Sequence, residues 1–462
     1  MIRLFKHYVP HAALLLGLVD FLLLILAADL GWRLRASQIG FPAGTIMGRL
    51  PQVLSFAVPL QIALMAVGAY AAASFLSLRF AAARLMVAIS IGVIFLSLIF
   101  FFMPSLSSWR SSLFYSMVIA VVLLVVVRGL LGRVLGGDKF KRRVIVMGAG
   151  ERATQIMELA RQPGANFMIV GAIAMSDEEN AVSKAVHRST IPSLGGFVID
   201  RQATEVVLAL QERRNALPYQ DLLRVRTTGV QVSELSSFLE RQTGRIDLAS
   251  VSHSWLIFSE GFSSGRMWSA MVKRAFDIVV SLILLMVALP VILVTAVAIR
   301  LESRGPVIYR QQRVGLYNQP FDILKLRSMR QDAESGGQAV WAEQNDPRIT
   351  RIGRIIRKVR IDELPQIWSV LAGEMSFVGP RPERPQFVEE LERRIPFYAE
   401  RHMVKPGITG WAQLNYPYGA SIEDARHKLE YDLYYAKNYS PFLDALILLQ
   451  TLRVILWPSG AR

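Results

Sequence analysis

The sequence predicts an integral membrane protein of the α plus α/β class, with three distinct parts along the chain. Four apolar stretches fill about the first 130 residues, each near the roughly 20 residues that a helix needs to cross the hydrocarbon core. A glycine-containing turn between a predicted strand and a predicted helix then indicates a Rossmann-like parallel α/β domain. A mainly α-helical region follows, for which we expect a re-entrant membrane helix and interfacial amphipathic helices. The predicted boundaries are 1–135 for the four-helix transmembrane domain, 139–250 for the Rossmann-like domain, 251–272 for a linker, 273–300 for the re-entrant helix and 301–462 for the C-terminal domain.

Composition narrows the chemistry that the chain can perform. Its 462 residues carry a formal net charge of +16, with a pI of about 10.2 and a mean hydropathy of +0.35. Such a charge indicates an anionic partner, and the membrane content favours lipid and phosphate over nucleic acid. The absence of cysteine excludes disulfides, thiol nucleophiles and thiolate metal sites. The six histidines are not paired at metal-binding spacing, so carboxylates, lysines and arginines are expected to carry any chemistry.

The four N-terminal apolar stretches predict the number of membrane crossings and their orientation. They run from about 12 to 30, 53 to 78, 85 to 103 and 111 to 127. Ten lysines and arginines flank them on the side of the N-terminus, against four on the other side. The positive-inside rule therefore places the N-terminus and residue 140 in the cytoplasm. Asp20 lies inside the first stretch, where a charge is costly and often functional. A carboxylate buried between helices, or held neutral, is the simpler interpretation.

A glycine motif follows the membrane block. A β-branched run ends in Gly-x-Gly-x-x-Ala, with the glycines at Gly148 and Gly150, and a helical pattern comes next. Such glycines let the backbone approach a pyrophosphate at a helix N-terminus. Further strands are predicted at 167–174, ending near Asp177, and at 205–210, which favours a parallel sheet. Asp177 lies farther from the glycines than the usual ribose-binding acid. The interpretation stays open between cofactor binding at Gly148 and Gly150 and a fold kept for regulation or assembly.

The fifth apolar run, residues 276–299, is long enough to cross a membrane. Pro290 sits near its middle, and an interior proline costs roughly 3 kcal/mol in a straight helix. A helix that bends sharply at Pro290 and leaves the membrane on the face where it entered would account for this proline. An ordinary kinked span, which membrane helices tolerate, is the alternative.

The C-terminal region combines a basic amphipathic segment with two adjacent acids. Residues 349–359 place isoleucines and a valine on one helical face, with arginines and a lysine on the other. Such a helix can lie in the membrane interface with its cations on phosphates; a solvated charged face is the alternative. Asp362 and Glu363 follow, before Leu364-Pro365, which are expected to fix the acids at a turn. Nearby guanidinium groups should keep both carboxylates ionised, which favours a nucleophile or a metal ligand; simple ion pairing is the alternative.

Five motifs make the region from Lys273 to the C-terminus resemble the monotopic phosphoglycosyl transferases, also called bacterial sugar transferases. The motifs are KRAFD (273–277), GPVIYRQQRVG (305–315), ILKLRSMR (323–330), DPRITRIGRIIRKVRIDELPQIWSVLAGEMSFVGPRPE (346–383) and VKPGITGWAQL (404–414). The chain departs from the family pattern at Leu289, Ser369 and Glu374. The leading apolar stretches and the Rossmann-like domain match the long form of the family, which starts exopolysaccharide and O-antigen repeat units.

The resemblance implies an enzyme that transfers a phosphosugar from a UDP-sugar to a polyprenyl phosphate, normally undecaprenyl phosphate, and releases UMP. Asp362 would be the nucleophile that forms a sugar-phosphoryl-aspartate, and Glu363 would hold Mg²⁺, for which Mn²⁺ could substitute. Further residues are implied to bind phosphate and substrate: Lys325, Arg357, Arg381, Arg327 and Glu383. Pro290 falls where the family's re-entrant helix breaks, which keeps the region after residue 300 on the cytoplasmic face of the bacterial inner membrane. Membrane lipids and a second copy of the chain, forming a homodimer, are the other expected partners; nucleic acid is not.

Two other classes of function are alternatives at this point. A membrane-bound NAD-dependent oxidoreductase or epimerase centred on Gly148 and Gly150 would need a catalytic Tyr-x-x-x-Lys, a spacing that Tyr435 and Lys437 do not have. A non-enzymatic assembly scaffold would still support polymer synthesis after replacement of Asp362. Neither the transferred sugar nor the polysaccharide pathway follows from these residues.

Overall fold

A computed structural model describes residues 2–4, 7–9, 11–70, 78–135, 141–162, 165–176, 181–210, 217–251, 267–330, 348–417, 419 and 421–456. They divide into two compact units, of which the first contains most of the chain to Thr243 and the second the chain from Gly244. Asp177 and most of the predicted linker, 252–266, lie outside the described residues.

The chain begins with two short strands, and four apolar helices of the first unit follow. Their bounds are Ile2–Leu4 (β1), His7–Val9 (β2), His11–Gln38 (α1), Leu50–Ala66 (α2), Leu78–Phe102 (α3) and Arg110–Leu135 (α4). Within the described ranges, these four helices and one later helix are long and apolar enough to cross a membrane, by length and composition. Their number agrees with the apolar stretches of the sequence, and their orientation across a membrane stays a prediction.

Asp20 lies buried between helices, as the simpler interpretation expected. Its carboxylate accepts a hydrogen bond from Nη2 of Arg128 at 2.6 Å, and the two side chains are 0% and 3% exposed. Arg128 also donates to the carbonyl oxygen of Ala69 at 3.0 Å, and its guanidinium lies 5.2 Å from the ring centroid of Tyr70. Arg128 is one of the ten cations on the side of the N-terminus, but its charge pairs with Asp20 between the helices.

Removal of one partner of this ion pair is expected to destabilise the first unit. Arg128→Met should lower the free energy of unfolding by about 3–5 kcal/mol, because Asp20 is left as an uncompensated buried charge. The double variant Asp20→Leu/Arg128→Met should recover most of that loss, since no charge is then buried. Thermal unfolding in detergent measures both effects. A double variant no more stable than Arg128→Met would contradict this pairing.

The rest of the first unit is a parallel sheet with helices, as predicted. Its elements are Arg142–Met147 (β3), Glu151–Arg161 (α5), Phe167–Ala174 (β4), Val186–His187 (β5), Leu194–Asp200 (α6), Glu205–Leu208 (β6), Tyr219–Thr227 (α7), Gln231–Glu234 (β7) and Leu235–Thr243 (α8). The five strands are ordered β5-β4-β3-β6-β7, with all pairs parallel. Val144 and Val146 of β3 pack in one apolar cluster, whereas Ile145 and Met147 pack in another. Both faces of the sheet are therefore covered, as in doubly wound folds.

Gly148 and Gly150 lie where the chain leaves β3 for α5. Gly148 has a φ of +114°, and a Cβ there would lie 2.8 Å from the carbonyl oxygen of Ala209, so packing alone requires a glycine. A Cβ on Gly150 would meet no described atom within 4 Å. Glu151 places a negative charge in the first turn of α5, where a pyrophosphate would also lie. Cofactor binding at these glycines stays a prediction.

The second unit is mainly α-helical, as expected, with two small sheets. Its elements are Met267–Glu302 (α9), Ile308–Val314 (β8), Pro320–Leu326 (β9), Arg351–Lys358 (α10), Gln366–Ala372 (α11), Ser376–Val378 (β10), Pro385–Arg394 (α12), Gly407–Thr409 (β11), Trp411–Asn415 (α13), Ile422–Asn438 (α14) and Pro441–Leu456 (α15). Strands β8 and β9 form an antiparallel hairpin, and β10 pairs with β11 in parallel. The core lies around Tyr434 and Tyr435 of α14, which are 1% exposed.

Helix α9 is the fifth long apolar helix. It begins at Met267, so residues 267–272, predicted as linker, form its first turns, and the helix continues across Pro290. Its 36 residues would span roughly 54 Å if straight, more than the roughly 30 Å of a hydrocarbon core. The bend predicted at Pro290 stays a prediction.

Candidate active site

Asp362 and Glu363 lie on a single 3₁₀ turn, residues 361–363, between α10 and α11. After α10, Arg360 adopts a left-handed conformation with a φ of +59°, which reverses the chain into the turn. Pro365 then occupies the N-cap of α11. The prediction that Leu364-Pro365 fixes the acids at a turn is confirmed, and the turn leaves Asp362 only 8% exposed.

Three cations surround one oxygen of Glu363. Lys325 Nζ and Arg381 Nη2 each lie 3.2 Å from Oε1, and Arg360 Nη1 lies 3.7 Å from it. Burial alone would raise the pKa of Glu363, but the positive charges of Arg381, Lys325 and Arg360 outweigh burial and lower the pKa to about 2. Glu363 is therefore held as a carboxylate.

Asp362 behaves differently from its neighbour. Burial and then the negative charge of Glu363 raise its pKa above the usual range, and the charges of Lys325, Arg357 and Arg360 oppose this only in part. The nearby cations lower the pKa of Glu363, in line with its expected ionisation. For Asp362 they do not outweigh burial, and its ionisation at neutral pH stays a prediction. The two acids differ because the cations contact Glu363, whereas Asp362 is desolvated beside a like charge.

Oδ1 of Asp362 is buried and has no hydrogen-bond partner among the residues that the structure describes. Buried carboxylate oxygens are normally paired, and an unpaired one is costly. Such an oxygen keeps its electron pairs available for bond formation or for a cation. The turn thus presents one acid held by cations and one acid with an unused oxygen.

The remaining predicted residues divide into two groups. Arg357 on α10 lies close enough for its charge to act on Asp362, and with Lys325 and Arg381 it belongs to the same site. Arg327 and Glu383 do not reach the two acids in this structure. Arg327 donates to the carbonyl oxygens of residues 303 and 304, and Glu383 lies 3.4 Å from Arg313 Nη1.

Arg381 is held in place by close backbone packing and by a buried ion pair. A Cβ on Gly379 would lie 2.2 Å from the carbonyl oxygen of Lys405. Position 379 must therefore be glycine for the chain before Arg381 to pack this closely against the segment that leads into β11. Arg401 donates to the carbonyl oxygen of Arg381 at 2.9 Å and pairs with Asp432 at 2.7 Å, with both side chains buried. Sequence reasoning missed Arg401; the glycines of the GPRP and PGITG motifs signalled only the close packing.

Helix α10 divides its apolar residues between the protein and its surface. Ile356 is 3% exposed and packs with Ile299 of α9 and Leu326 of β9. Ile355 and Val359 are 64% and 57% exposed. The predicted apolar face is therefore split. The exposed pair is compatible with contact to a membrane interface, which stays a prediction beside the solvated alternative.

Arg360, which the sequence did not single out, offers a test of the turn. Its left-handed conformation costs a non-glycine residue about 1–2 kcal/mol. Arg360→Gly should therefore unfold with a free energy about 1 kcal/mol higher than Arg360→Ala, because both variants lose the same charge and only glycine relieves the backbone. Chemical denaturation of the two variants measures the difference. Equal stability would mean that the backbone at this position is not strained.

The two acids fit a shared divalent ion. The described residues contain no group of three or more histidine, aspartate or glutamate side chains placed to hold a metal. Mg²⁺ does not require one, because it commonly binds one or two carboxylates and completes its coordination with water and phosphate oxygens. Glu363 and the unpaired oxygen of Asp362 can supply carboxylate ligands of this kind.

Two family models match the chain. The bacterial sugar transferase model matches residues 268–458, which contain the whole site described above. The CoA-binding domain model matches residues 65–217, which include strands β3 to β6. The chain is also 41% identical over 191 residues to the UDP-glucose:undecaprenyl-phosphate glucose-1-phosphate transferase of Caulobacter vibrioides, a match that covers 41% of this chain and 71% of that protein. The chain belongs to the bacterial sugar transferase family.

Other relatives share longer or similar segments with this chain. The UDP-N-acetylgalactosamine-undecaprenyl-phosphate N-acetylgalactosaminephosphotransferase of Aeromonas hydrophila is 45% identical over 241 residues, which cover 52% of the chain and 56% of the relative. The undecaprenyl-phosphate glucose phosphotransferase of Komagataeibacter xylinus is 44% identical over 191 residues, covering 40% of the chain and 36% of the relative. The chain thus spans about half the length of the first relative and about a third of the second.

Proposed function

We propose that this sugar transferase moves a phosphosugar from a UDP-sugar to undecaprenyl phosphate through a sugar-phosphoryl-aspartate on Asp362. The observation that carries the proposal is the pair of unlike acids on one turn. Glu363 contacts three cations, whereas the buried Asp362 has an oxygen without a described hydrogen-bond partner. A poorly solvated carboxylate beside cations is suited to attack a phosphoryl group.

Two displacements at one phosphorus complete the reaction. An oxygen of Asp362 attacks the phosphorus that bears the sugar, the bond from that phosphorus to the bridging oxygen breaks, and UMP leaves with the electron pair. A phosphate oxygen of undecaprenyl phosphate then attacks the same phosphorus, and the bond to Asp362 breaks, which restores the carboxylate. Lys325, Arg357 and Arg381 bind the phosphate oxygens and offset their negative charge in both steps.

We further propose that Glu363 holds Mg²⁺, with Mn²⁺ as a substitute. The bound ion would neutralise charge on the diphosphate. The adjacent carboxylates support this assignment, as does the common use by Mg²⁺ of phosphate oxygens as ligands.

The proposed location is the bacterial cytoplasmic membrane, with the site on the cytoplasmic face and α9 as a re-entrant helix. Residues near both ends of α9 contact other elements of the second unit: Lys273 donates to Asp444 of α15 at 2.7 Å, and Glu302 accepts from the backbone of Arg351 of α10 at 2.8 Å. A helix that enters and leaves the membrane on one face accounts for both contacts. Met286 and Val294, near the middle of α9, are 73% and 72% exposed, as expected of side chains that face lipid.

The relatives' names define the donors to test, namely UDP-N-acetylgalactosamine and UDP-glucose. The purified chain is incubated with each donor and Mg²⁺ but without acceptor, and its intact mass and peptides are measured. We expect one sugar-phosphate on the peptide containing Asp362, removed when undecaprenyl phosphate is added. UMP release that requires acceptor and leaves no adduct would exclude the covalent intermediate. Initiation of a polysaccharide repeat unit and formation of a homodimer stay predictions. Light scattering of the detergent-purified protein tests whether the chain forms a homodimer.

A further inference from the structure

Arg327 lies within a motif that implied phosphate binding, but its guanidinium is engaged at the end of α9. Nη2 donates to the carbonyl oxygen and to the hydroxyl of Ser303, both at 2.8 Å, and Nη1 donates to the carbonyl oxygen of Arg304 at 3.0 Å. Arg327 is 7% exposed. The last carbonyls of a helix lack partners within the helix, so Arg327 satisfies acceptors at the point where the chain leaves α9.

Glu302, the last residue of α9, makes the corresponding contact with α10. Its two carboxylate oxygens accept from the backbone nitrogens of Arg351 at 2.8 Å and Ile352 at 3.1 Å. The hydroxyl of Thr350 accepts from the next backbone nitrogen at 2.9 Å. A carboxylate at this position satisfies unpaired N–H groups and is attracted by the positive end of the helix dipole.

These contacts connect the end of α9 to both segments that carry the site. Lys325 lies two residues before Arg327 on β9, and Asp362 lies on the turn that follows α10. Ile299, Leu326 and Ile356 pack together between the three elements, each at most 3% exposed. The distance between Lys325 and the acidic turn therefore depends on a common attachment at the end of α9.

We infer that Arg327 and Glu302 are positioning residues that set the separation of Lys325 from the turn of Asp362 and Glu363, and that Arg327 is not a phosphate ligand. Only the expected effect on kinetics rests on the proposed function; the structural role of the two residues does not. The C-terminal end of α9 therefore helps to hold the site residues in position.

The kinetic test compares Arg327→Met and Glu302→Ala with matched surface variants on α12, Arg393→Met and Glu390→Ala. UMP release is measured against UDP-N-acetylgalactosamine and UDP-glucose at saturating undecaprenyl phosphate. We expect kcat to fall by about tenfold or more in both variants, with KM for the donor changed by less than about twofold and with both controls unaffected. A raised KM with unchanged kcat in Arg327→Met would overturn the inference, because that is the result of losing a phosphate ligand. Unchanged kinetics in both variants would overturn it as well.

Hydrogen–deuterium exchange tests the same inference without turnover. The amides of Glu363 and Leu364 donate within the acidic turn, at 3.2 Å each. We expect faster exchange of these amides in both variants, while the amide of Ser376, which donates to the Pro406 carbonyl, stays at the wild-type rate. Faster exchange confined to 351–353 would overturn the inference.

Failure of the proposed function is distinguishable from failure of this inference. A wild-type protein that releases no UMP from either donor refutes the proposed function. The hydrogen–deuterium exchange result alone then decides whether Arg327 and Glu302 are positioning residues. If Arg327→Met does not fold, Arg327→Lys replaces it in both tests, because a lysine can make only part of the three contacts. Partial loss of kcat and intermediate exchange rates are then expected, and wild-type values would overturn the inference.

Discussion

Replacement of Asp362 by asparagine is expected to reduce UMP release by about 10³-fold or more, because an amide cannot form the phosphoryl-aspartate. The two side chains have the same shape, so the acidic turn should keep its conformation. A buried carboxylate oxygen without a described partner is unfavourable in the folded state. The variant should therefore unfold at an equal or higher temperature than the wild type. UMP release in detergent with Mg²⁺ and undecaprenyl phosphate measures the first expectation, and thermal unfolding the second.

Asp322→Asn is the matched control for this experiment. Asp322 is an exposed acid on β9, so its replacement should leave UMP release near the wild-type rate. Equal release by Asp362→Asn and wild type would exclude Asp362 as the nucleophile. Loss of activity in both variants would mean that the site responds to charge in general rather than to one carboxylate.

Gly353→Ala is expected to have the second largest effect. A Cβ on Gly353 would lie 1.9 Å from the carbonyl oxygen of Ser328, a backbone atom that cannot move aside independently. Helix α10 must therefore shift, and it carries Arg357 and leads into the turn of Asp362. Overpacking of this kind costs about 1–3 kcal/mol, more than the roughly 0.5–1 kcal/mol that alanine contributes to a helix interior. A displacement of about 1 Å should lower UMP release on the order of 10²-fold.

Gly195→Ala provides the opposite case. Gly195 lies in α6, and a Cβ there would be 3.9 Å from its nearest neighbour, Oγ of Ser193. The variant should be stabilised by about 0.5–1 kcal/mol with unchanged activity. Chemical denaturation compares the stability of Gly195→Ala and Gly353→Ala, and UMP release compares their activity. A Gly353→Ala protein as stable and active as the wild type would show that α10 does not depend on its contact with Ser328.

Local patterns were sufficient to predict the long apolar helices and the main strands of the parallel sheet, but not the strands and helices of the second unit after α10. The strand predicted at 167–174 is β4, Phe167–Ala174, and the strand predicted at 205–210 is β6, Glu205–Leu208. Buried parallel strands are continuous apolar runs, which one sequence displays directly. The start of α9 was less visible: Met267 begins the helix, but residues 267–272 adjoin a polar, glycine-containing stretch and were predicted as linker.

The sequence by itself determined the contacts between residues that are close together in the chain. Asp362 and Glu363 are adjacent, and the proline after them ends the turn, because backbone preferences act over a few residues. The resemblance to sugar transferases added Lys325 and Arg381, whose cations do contact Glu363.

Only the tertiary structure decided how these residues differ in chemistry. Burial beside Glu363 raises the pKa of Asp362, against the direction that the basic sequence indicated. Arg327 and Lys325 occur in one motif, yet one meets the end of α9 and the other meets Glu363. Burial and contacts between residues distant in the chain, such as Asp20 with Arg128, depend on the packing of whole elements, and no local pattern encodes them.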